Sequence, residues 1–380
     1  MDIFLSDKNR LVQRIAHGFC EREIQPIAGK IDKEARFPWD VVKKMGELGY
    51  FGIQAPKSLG GAALDTVDYI LIIEEISKSC AALGLCVAVH NSVALYPLLA
   101  FGSEEQKKKW APQLTSGNKI GAFCLTEPNA GSDASGIESE AISKDRYYVI
   151  NGSKAFVTNG GVAGIYLIFA RTNPNNGNKG ISVLIVERGT PGLIVGDLEE
   201  LCGVRANPVS SVSLNDCEVP SQNLLGREGA GLSIGFAALD IGRIGIAAQA
   251  AGIARAALEE AIRYSRQRHQ FGVPIAKHQA LSMMIADMAT KVDAARLMAY
   301  RAATLRDKGE SFSQASAMAK LFSSEISSEV TDQALQIHGG YGYSKSYPVE
   351  RYYRDARVTR IYEGTSEVHK MVIARGIMGN

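Results

Sequence analysis

The sequence contains a glutamate in a setting that suits a catalytic base. Glu363 is followed by Gly364 within the run Ile361–Glu367, close to the C-terminal end. A carboxylate can remove a proton from a substrate, and a glycine lets another molecule approach the backbone closely. A lone glutamate in front of a helix is usually only a solvated acid, so Glu363 by itself does not identify a catalytic site.

Five further segments combine glycine or small residues with polar and charged side chains. They are Phe123–Asp133, Asn151–Gly160, Arg268–Gly272, Gln336–Gly342 and Tyr352–Arg357. Taken singly, each segment is also compatible with an ordinary loop or helix cap. The combination of these segments and their order along the chain are more informative than any one segment.

Other familiar kinds of site are missing from the sequence. There is no P-loop, no nucleophile elbow and no strand followed by the glycine pattern of nicotinamide sites. Gly229 and Gly231, with Gly235, imitate that pattern without its spacing, which favours a flexible start to the next helix. The six cysteines and six histidines show no metal-binding spacing, so we expect no metal and interpret the cysteines as small buried hydrophobic residues.

Composition and charge indicate a globular protein with more than one packed unit. The chain has 380 residues, of which 46% are hydrophobic and 22% charged. Lysine and arginine number 42 against 40 aspartates and glutamates, which gives a formal net charge of +2. This balance provides no basic face for nucleic acid, so we expect no nucleic-acid partner.

The cellular location is expected to be cytoplasmic. The start of the sequence, with Asp2 and Asp7, resembles neither a secretory signal nor a transit peptide. The most apolar stretches, around Leu83–Val89 and Ile244–Ala254, are too short or too rich in alanine and glycine to predict a membrane span.

The first third of the sequence has helical periodicity. Leu11, Ile15 and Phe19 recur at helical spacing and predict a buried face. Ser103, followed by two glutamates, has the pattern of a helix N-cap. We therefore predict an N-terminal α-helical domain over residues 1–120.

Short β-branched and aromatic runs, separated by clusters of glycine, asparagine and proline, dominate the next region. The predicted strands are Tyr147–Ile150, Lys154–Thr158, Ile165–Arg171, Ile181–Val186 and Val209–Leu214. They indicate a middle antiparallel β domain over residues 121–226.

Long alanine-rich stretches follow and predict a C-terminal helical bundle over residues 227–380. The predicted helices are Leu232–Tyr264, Ile275–Asp307 and Phe312–Ile337. The fold class is therefore α+β and multidomain, in the order α, β, α.

In this order, the segments resemble the acyl-CoA dehydrogenases, over essentially the whole chain, and look closest to the short-chain, butyryl-CoA branch. The resemblance implies FAD as cofactor and removal of hydrogen from Cα and Cβ of an acyl-CoA thioester. It places the base at Glu363 and implies that its backbone N–H helps to bind the thioester oxygen. Isovaleryl- and long-chain relatives carry their glutamate at the position of Gly242, so here the alternative base is absent.

The resemblance also implies which residues contact cofactor and substrate. For FAD they are Phe123, Leu125, Thr126, Ser132, Phe156, Val157, Thr158, Arg268, Gln279, Gln336, Ile337, His338, Gly339, Gly340, Thr365, Ser366 and Glu367. For acyl-CoA they are Ser132, Asp240, Arg243 and Gly364. Some of these residues also have simpler interpretations: a core aromatic for Phe156, helix capping for Thr365 and Ser366, and a helical ion pair for Asp240 and Arg243.

Many relatives carry tryptophan where this chain has Phe156, which puts the contacts for electron transfer at that position in doubt. The family arrangement, in which bundle segments reach the flavin of a neighbouring subunit, implies a homotetramer, and an electron-transferring flavoprotein is the implied acceptor. An oxygen-reducing oxidase and a noncatalytic scaffold are the alternatives. The acyl group is left open between short linear, branched, medium, cyclic and dicarboxylic chains, with the end of its pocket expected around His90–Leu95.

Overall fold

The computed structural model describes residues 5–379, so Asp2, used above to argue against a leader, lies outside the described residues. The N-terminal region is helical. Its helices are α1 (Asp7–Phe19), α2 (Gln25–Glu34), α3 (Trp39–Glu47), α4 (Thr66–Ser79), α5 (Ala81–Val89), α6 (Tyr96–Phe101) and α7 (Glu104–Thr115), with π-helical turns at Cys20–Ile24 and His90–Leu95. The predicted cap at Ser103 is confirmed, because its hydroxyl accepts a hydrogen bond from the Gln106 backbone N–H.

The buried face of α1 differs from the prediction. Leu11 and Ile15 are about half exposed, at 50% and 49%, whereas Asn9, Ala16 and Phe19 are buried. Asn9 is drawn inward because its side-chain amide donates to the buried Asp68 carboxylate of α4. The hydrophobic spacing therefore predicted the helix correctly but only part of its packing.

The middle region is built around an eight-stranded sheet. Its strands are β1 (Ile120–Cys124), β2 (Glu140–Lys144), β3 (Tyr147–Thr158), β4 (Ala163–Arg171), β5 (Ile181–Glu187), β6 (Leu193–Leu198), β7 (Val209–Pro220) and β8 (Leu224–Leu225). The order is β6-β7-β3-β2-β4-β5-β8, with β1 paired to β4.

The sheet is mixed, whereas the sequence predicted an antiparallel domain. Most neighbours are antiparallel, but β1 runs parallel to β4 along its length, and β2 meets β4 in parallel at a single pair. The β2–β3 hairpin intervenes in sequence between β1 and β4, so this pair is not joined by the tight turn that favours antiparallel pairing. The two strands predicted within 147–158 form one strand, β3, because shifts in register absorb the break around Gly152.

The C-terminal region consists of long helices. They are α8 (Gly231–Gln267), α9 (Gln279–Asp307), α10 (Ser313–His338), α11 (Val349–Val358) and α12 (Ser366–Met378), with a small hairpin of β9 (His269–Gln270) and β10 (Val273–Pro274) after α8. Alanine, glycine and serine line much of the buried surface of α8 and α10. Such small side chains let two helices pack closely.

A buried cluster of charges joins α4 to the C-terminal helices. Arg255 of α8 contacts Glu74 and Glu75 of α4 at 2.9 and 2.7 Å, and Arg296 of α9 reaches Glu74 at 2.7 Å. Buried charges of this kind are tolerated only when they are paired. The cluster therefore fixes how the first and last helical regions meet.

Two helical segments have the length and composition of a membrane span, Ala81–Phe101 and Gly231–Gln267. Their most apolar windows are 89% and 72% buried inside the fold, so burial against the rest of the chain already accounts for their hydrophobicity. Five of the six cysteines are buried as expected, but Cys202 is exposed, which corrects the prediction for that residue.

Candidate functional site

Glu363 lies in the turn between α11 and α12, and we call Tyr362–Thr365 the base turn. Its backbone is left-handed at both Glu363, with φ of 50°, and Gly364, with φ of 97°. The Tyr362 hydroxyl ties the turn to α8 by donating to Gln249 Oε1 at 2.5 Å. At the other end, the Thr365 hydroxyl caps α12 by accepting from the Val368 N–H. The turn thus has one fixed geometry.

The Glu363 carboxylate is shielded from solvent, although the residue as a whole is only half-buried. Neither carboxylate oxygen has a hydrogen-bond partner among the described residues. Burial raises the pKa of Glu363 to about 7, against the opposing influence of Lys320 and Arg243. This environment is not that of a solvated acid, and it suits a base acting near neutral pH.

Gly242 of α8 faces this carboxylate directly. A Cβ atom built on Gly242 would lie 2.7 Å from Glu363 Cδ and 2.8 Å from Oε1, which is closer than real side chains allow. The absence of a side chain at position 242 therefore makes room for the carboxylate at 363. A side chain at position 242, on α8, and the side chain at position 363, on the base turn, would therefore occupy the same space.

Two residues beside the base turn were not singled out in the sequence. Lys320 of α10 is fully buried, and its ammonium donates to the Gly364 carbonyl at 2.6 Å. His369 of α12 is also fully buried and lies next to Gly364, and burial lowers its pKa to about 3. The signal for Lys320 was the number of small residues near it, Ala315–Ala317, Ala319 and Ser323–Ser324, which indicates close packing on more than one face.

Asp240 and Arg243 form the helical ion pair that was the simpler interpretation, with Nη1 and Oδ1 2.6 Å apart. Arg243 is 7% exposed, and its Nε atom has no hydrogen-bond partner within the described part of the chain. The pair lies on α8 beside Gly242 and so adjoins the carboxylate. The unpartnered Nε leaves Arg243 a donor for a ligand beside the carboxylate.

In the middle domain, two of the predicted segments are held together by a buried ion pair. Lys154 of β3 and Glu127 lie 2.5 Å apart, and the Glu127 carboxylate also accepts from the backbone N–H groups of Glu138 and Ser139. A backbone bond from the Ala155 N–H to the Thr126 carbonyl completes the contact. We call Phe123–Asp133 and Asn151–Gly160 the flavin segments, after their predicted role.

The side chains of these segments differ in exposure. Phe156 is 66% exposed and adopts a positive φ of 51°, which contradicts the interpretation of Phe156 as a core aromatic. Ser132 is exposed, Thr126, Phe123 and Thr158 are half-buried, and Leu125 and Val157 are buried. The side chains of Leu125 and Val157 belong to the hydrophobic core.

The helical bundle contains a cavity of about 800 Å³, which we call the bundle cavity. It brings together the predicted residues Arg268, Gln336, Ile337, His338, Gly339 and Gly340. Cβ atoms built on Gly339 or Gly340 would meet nothing within 4 Å, and the Arg268 guanidinium lies 5.7 Å from the centre of the Tyr341 ring. Gln279 is exposed at the start of α9 outside the lining, and neither Glu363 nor the flavin segments line this cavity.

Around the start of α12, capping explains Thr365 but not Ser366. The Ser366 hydroxyl donates to Glu325 Oε1 of α10 at 2.6 Å, which corrects its interpretation as a cap. Glu367 is exposed. Ser366 therefore links α12 to α10.

The π-helical turn His90–Leu95 is buried. His90 Nδ1 accepts a hydrogen bond from the Gly121 N–H at 3.0 Å, and burial lowers the pKa of His90 to about 4. The imidazole is therefore neutral near pH 7 and joins the helical region to the first strand of the sheet. No group of three or more His, Cys, Asp or Glu side chains within residues 5–379 could hold a metal ion.

Comparison with known families gives matches along most of the chain. Residues 6–118, 122–217 and 229–378 match the N-terminal, middle and C-terminal domains of acyl-CoA dehydrogenases.

Individual proteins are similar over the full length. The acryloyl-CoA reductase (NADH) of Anaerotignum propionicum is 47% identical over all of this chain and 96% of its own. Butyryl-CoA dehydrogenase from Megasphaera elsdenii superposes with a TM-score of 0.97 at 42% identity, covering 100% of both chains. A third similar chain superposes with a TM-score of 0.98 at 44% identity, again covering 100% of both chains. It comes from a study of the electron transferring flavoprotein of Acidaminococcus fermentans and flavin-based electron bifurcation.

Proposed function

The chain belongs to the acyl-CoA dehydrogenase family, and on that premise we propose that it desaturates a short-chain acyl-CoA with Glu363 as the base. The family makes the chain an oxidoreductase and a flavoprotein. In the proposed reaction, the Glu363 carboxylate removes a proton from Cα of the thioester. FAD, when bound, supplies an electron-poor ring that takes the hydride leaving Cβ. The product is a trans-2-enoyl-CoA.

The observation that carries this proposal is the state of the Glu363 carboxylate. It is shielded, has no partner among residues 5–379 and has a pKa near 7. An unpartnered buried carboxylate is costly for folding, so its presence favours a functional role. At pH 7 a substantial fraction is ionised and can accept a proton, and exclusion of water keeps it a strong base.

Two features fit FAD. In the bundle cavity, Arg268 offers a fork of donors suited to phosphate, and Gly339 and Gly340 leave the backbone open to close approach. In the flavin segments, the exposed Phe156 offers an aromatic face beside the backbone groups of Val157 and Thr158. We propose that the remaining predicted FAD contacts, including Gln279, Thr365, Ser366 and Glu367, act at the edges of these two surfaces.

Contacts to the acyl-CoA follow the same reasoning. We propose that Arg243, through its unpartnered Nε, and the neighbouring Asp240 meet the CoA portion, and that Ser132 reaches it from the exposed loop after β1. Gly364 and the N–H of Glu363 face the thioester. No side chain at position 364 could be added without crowding His369, whose Nε2 lies 3.2 Å from a Cβ built there.

The preferred acyl group is proposed to be short and linear. The butyryl-CoA dehydrogenase of M. elsdenii supports this preference, and the A. fermentans study supports an electron-transferring flavoprotein as acceptor. The acryloyl-CoA reductase of A. propionicum suggests that the reductive direction belongs in the same tests. A homotetramer in the cytoplasm completes the proposal.

The decisive experiment compares Glu363→Gln with the wild-type holoenzyme in flavin bleaching by butyryl-CoA. Glutamine keeps the shape and polarity but cannot take a proton, so the rate should fall by at least about 10²–10⁴-fold while FAD and acyl-CoA still bind. Glu310→Gln, at an exposed position, is the matched control. Rapid reduction in Glu363→Gln would show that another residue is the base.

A panel of esters tests the substrate. Bleaching should be fastest with butyryl-CoA and hexanoyl-CoA, and faster reduction by dodecanoyl-CoA would reject the short-chain assignment. Peroxide formed during turnover in air would indicate an oxidase, whereas a dehydrogenase should form little. Failure of every ester to bleach the bound flavin would favour a noncatalytic scaffold.

A further inference from the structure

Lys320 is a fully buried lysine whose ammonium contacts the base turn. It lies in α10, is 0% exposed and donates to the Gly364 carbonyl at 2.6 Å. Among residues 5–379, no carboxylate lies within ion-pair distance of this ammonium. The other fully buried lysine, Lys154, is paired with Glu127 at 2.5 Å.

This arrangement is costly, which is why it points to a role. Removing an ammonium group from water is strongly unfavourable unless a counter-charge compensates for the lost hydration. Here the contact is made to a neutral carbonyl instead. That carbonyl belongs to Gly364, the residue directly after Glu363, and both of these residues have a positive φ. A left-handed backbone at a residue other than glycine is itself unfavourable, so the turn needs external contacts to hold it.

We propose that Lys320 is a positioning residue, whose bond to the Gly364 carbonyl holds the base turn so that the Glu363 carboxylate points at the substrate Cα. This inference rests on the proposed role of Glu363 as the base. The other contacts of the turn act elsewhere: Tyr362 binds α8 through Gln249, and Thr365 caps α12. Tyr362 holds the side of the turn that precedes the glutamate, and Lys320 holds the side that follows it.

The charge of Lys320 adds an electrostatic consequence. Burial lowers the pKa of Lys320 to about 7, while Glu363 pulls it in the opposite direction. The other charged groups facing it are Arg243 from α8, Glu325 from α10 and Glu367 from α12, and the nearby His369 is neutral because burial lowers its pKa to about 3. Since the ammonium stabilises the ionised carboxylate, removing it should raise the pKa of Glu363 further.

Two substitutions separate the hydrogen bond from the charge. Lys320→Met removes both, whereas Lys320→Gln removes the charge and keeps an N–H donor. In Lys320→Met we expect kcat for butyryl-CoA to fall about 10-fold or more with little change in KM, because misplacing a catalytic group by about 1 Å can cost 10²-fold. Lys320→Gln should lose less. In both variants the acid limb of the kcat/KM profile should move upward, by about one pH unit or more.

A second measurement does not depend on turnover. Difference infrared spectra, with Glu363→Gln as the reference, report the protonation of the Glu363 carboxyl group, whose titration should move upward in both Lys320 variants. Lys308→Met, at an exposed lysine of the same bundle, should leave the titration and the acid limb in place. If Lys320 had a purely structural role, its substitution would change heat stability or flavin retention but would leave both the infrared titration of Glu363 and the acid limb in place.

Wild-type kcat and an unmoved acid limb in Lys320→Met would overturn the inference while leaving Glu363 as the base. If the methionine variant does not fold, Lys320→Gln decides by its acid limb and infrared titration. Rapid flavin reduction in Glu363→Gln would instead reject the proposed function.

Discussion

At Glu363 the chain combines two unfavourable features in one residue, a left-handed backbone and a carboxylate shielded from water. Each opposes folding, and neither is compensated by a hydrogen bond to the carboxylate within the described residues. Such costs are typical of functional sites, where a reactive group must be fixed before the substrate arrives. The close approach of Gly242 adds a third constraint, because the carboxylate occupies the space where a side chain would be.

The contact between Gly242 and Glu363 can be tested with a double-mutant cycle. Gly242→Ala should lower activity in the wild type, because its Cβ would overlap the carboxylate 2.7 Å away at Cδ. In a Glu363→Gly background there is no carboxylate for the alanine to overlap, so the same alanine should not lower stability. The effects of the two substitutions should therefore be strongly non-additive. Measured kcat and denaturation midpoints that simply add would contradict the geometry.

The same cycle predicts rescue. Glu363→Gly combined with Gly242→Glu should recover part of the activity lost in Glu363→Gly alone, since both positions reach the same point. Recovery should be incomplete, because the new carboxylate extends from α8 and is not positioned by the base turn. The measurement is flavin bleaching by butyryl-CoA, and a double variant as slow as Glu363→Gly would show that position 242 cannot supply the base.

The raised pKa of Glu363 also predicts how stability changes with pH. In the folded state its pKa is about 7, above the usual value near 4.3 in an unfolded chain. Between these values the folded state holds a proton that the unfolded state has lost, so raising the pH through this window destabilises the fold. Glu363→Gln should therefore be more stable than wild type at pH 8, by at most roughly 4 kcal/mol. Denaturation of the two holoenzymes at pH 8 and pH 5 should show the difference shrinking at the lower pH.

The sequence led to Glu363 through its family resemblance, but not to Lys320 or His369. A lysine in a helix is ordinarily exposed, and its burial here depends on α10 packing against several neighbours at once. The small residues around it were the available signal. The contact with the Gly364 carbonyl spans 44 positions and follows only from the fold.

At the level of elements, the flavin segments depend on one buried pair. Glu127 follows β1 and Lys154 belongs to β3, so their contact sets the distance between the two segments. Burial alone would raise the pKa of Glu127, but the Lys154 ammonium and backbone N–H groups hold it below its usual range. The Glu127 carboxylate is therefore ionised, and its hydrogen bonds stabilise the fold.

Lys154→Met should be strongly destabilising for this reason. It leaves the Glu127 carboxylate buried without its counter-charge, and breaking a buried pair typically costs about 3–5 kcal/mol. We expect a lower denaturation midpoint and weaker retention of FAD. Glu127→Gln with Lys154→Met, which removes both charges, should recover part of the loss, and a single variant as stable as wild type would contradict the role of the pair.

The elements themselves were predicted to different degrees. The long helices α8, α9 and α10 were located closely, because their alanine-rich periodicity persists over many turns. Strands β1, β2, β6 and β8 were missed, since each has only two to six residues and therefore shows little alternation in the sequence. The exposure of Leu11 and Ile15 could not be foreseen, because it depends on which face of α1 meets α4.

For the whole molecule, the main feature is the separation of the two surfaces that fit FAD. The bundle cavity is lined only by residues 264–346, whereas the flavin segments lie within residues 123–160 and outside that lining. A single extended cofactor held by both surfaces is most simply accommodated when different chains supply them. This favours an assembly of more than one chain, as the proposed tetramer would provide.

Arg268→Ala tests the proposal at this scale. If the arginine binds the cofactor of a neighbouring chain, its loss should remove FAD and loosen the assembly together, which absorbance and sedimentation of one preparation can follow. Arg146→Ala, at an exposed turn of the middle domain, is the control. A colourless monomeric wild-type protein that FAD cannot reconstitute would contradict both cofactor and assembly.

The space that Gly242 leaves for Glu363 has a consequence for how such enzymes diverge. A lineage that moves its base from the turn to the helix one mutation at a time must pass through an ancestor with either no carboxylate or two competing for the same volume. Both intermediates are expected to be poor catalysts. The position of the base should therefore change rarely during evolution, and duplicated genes, in which one copy is free of selection, are the most favourable place for the change.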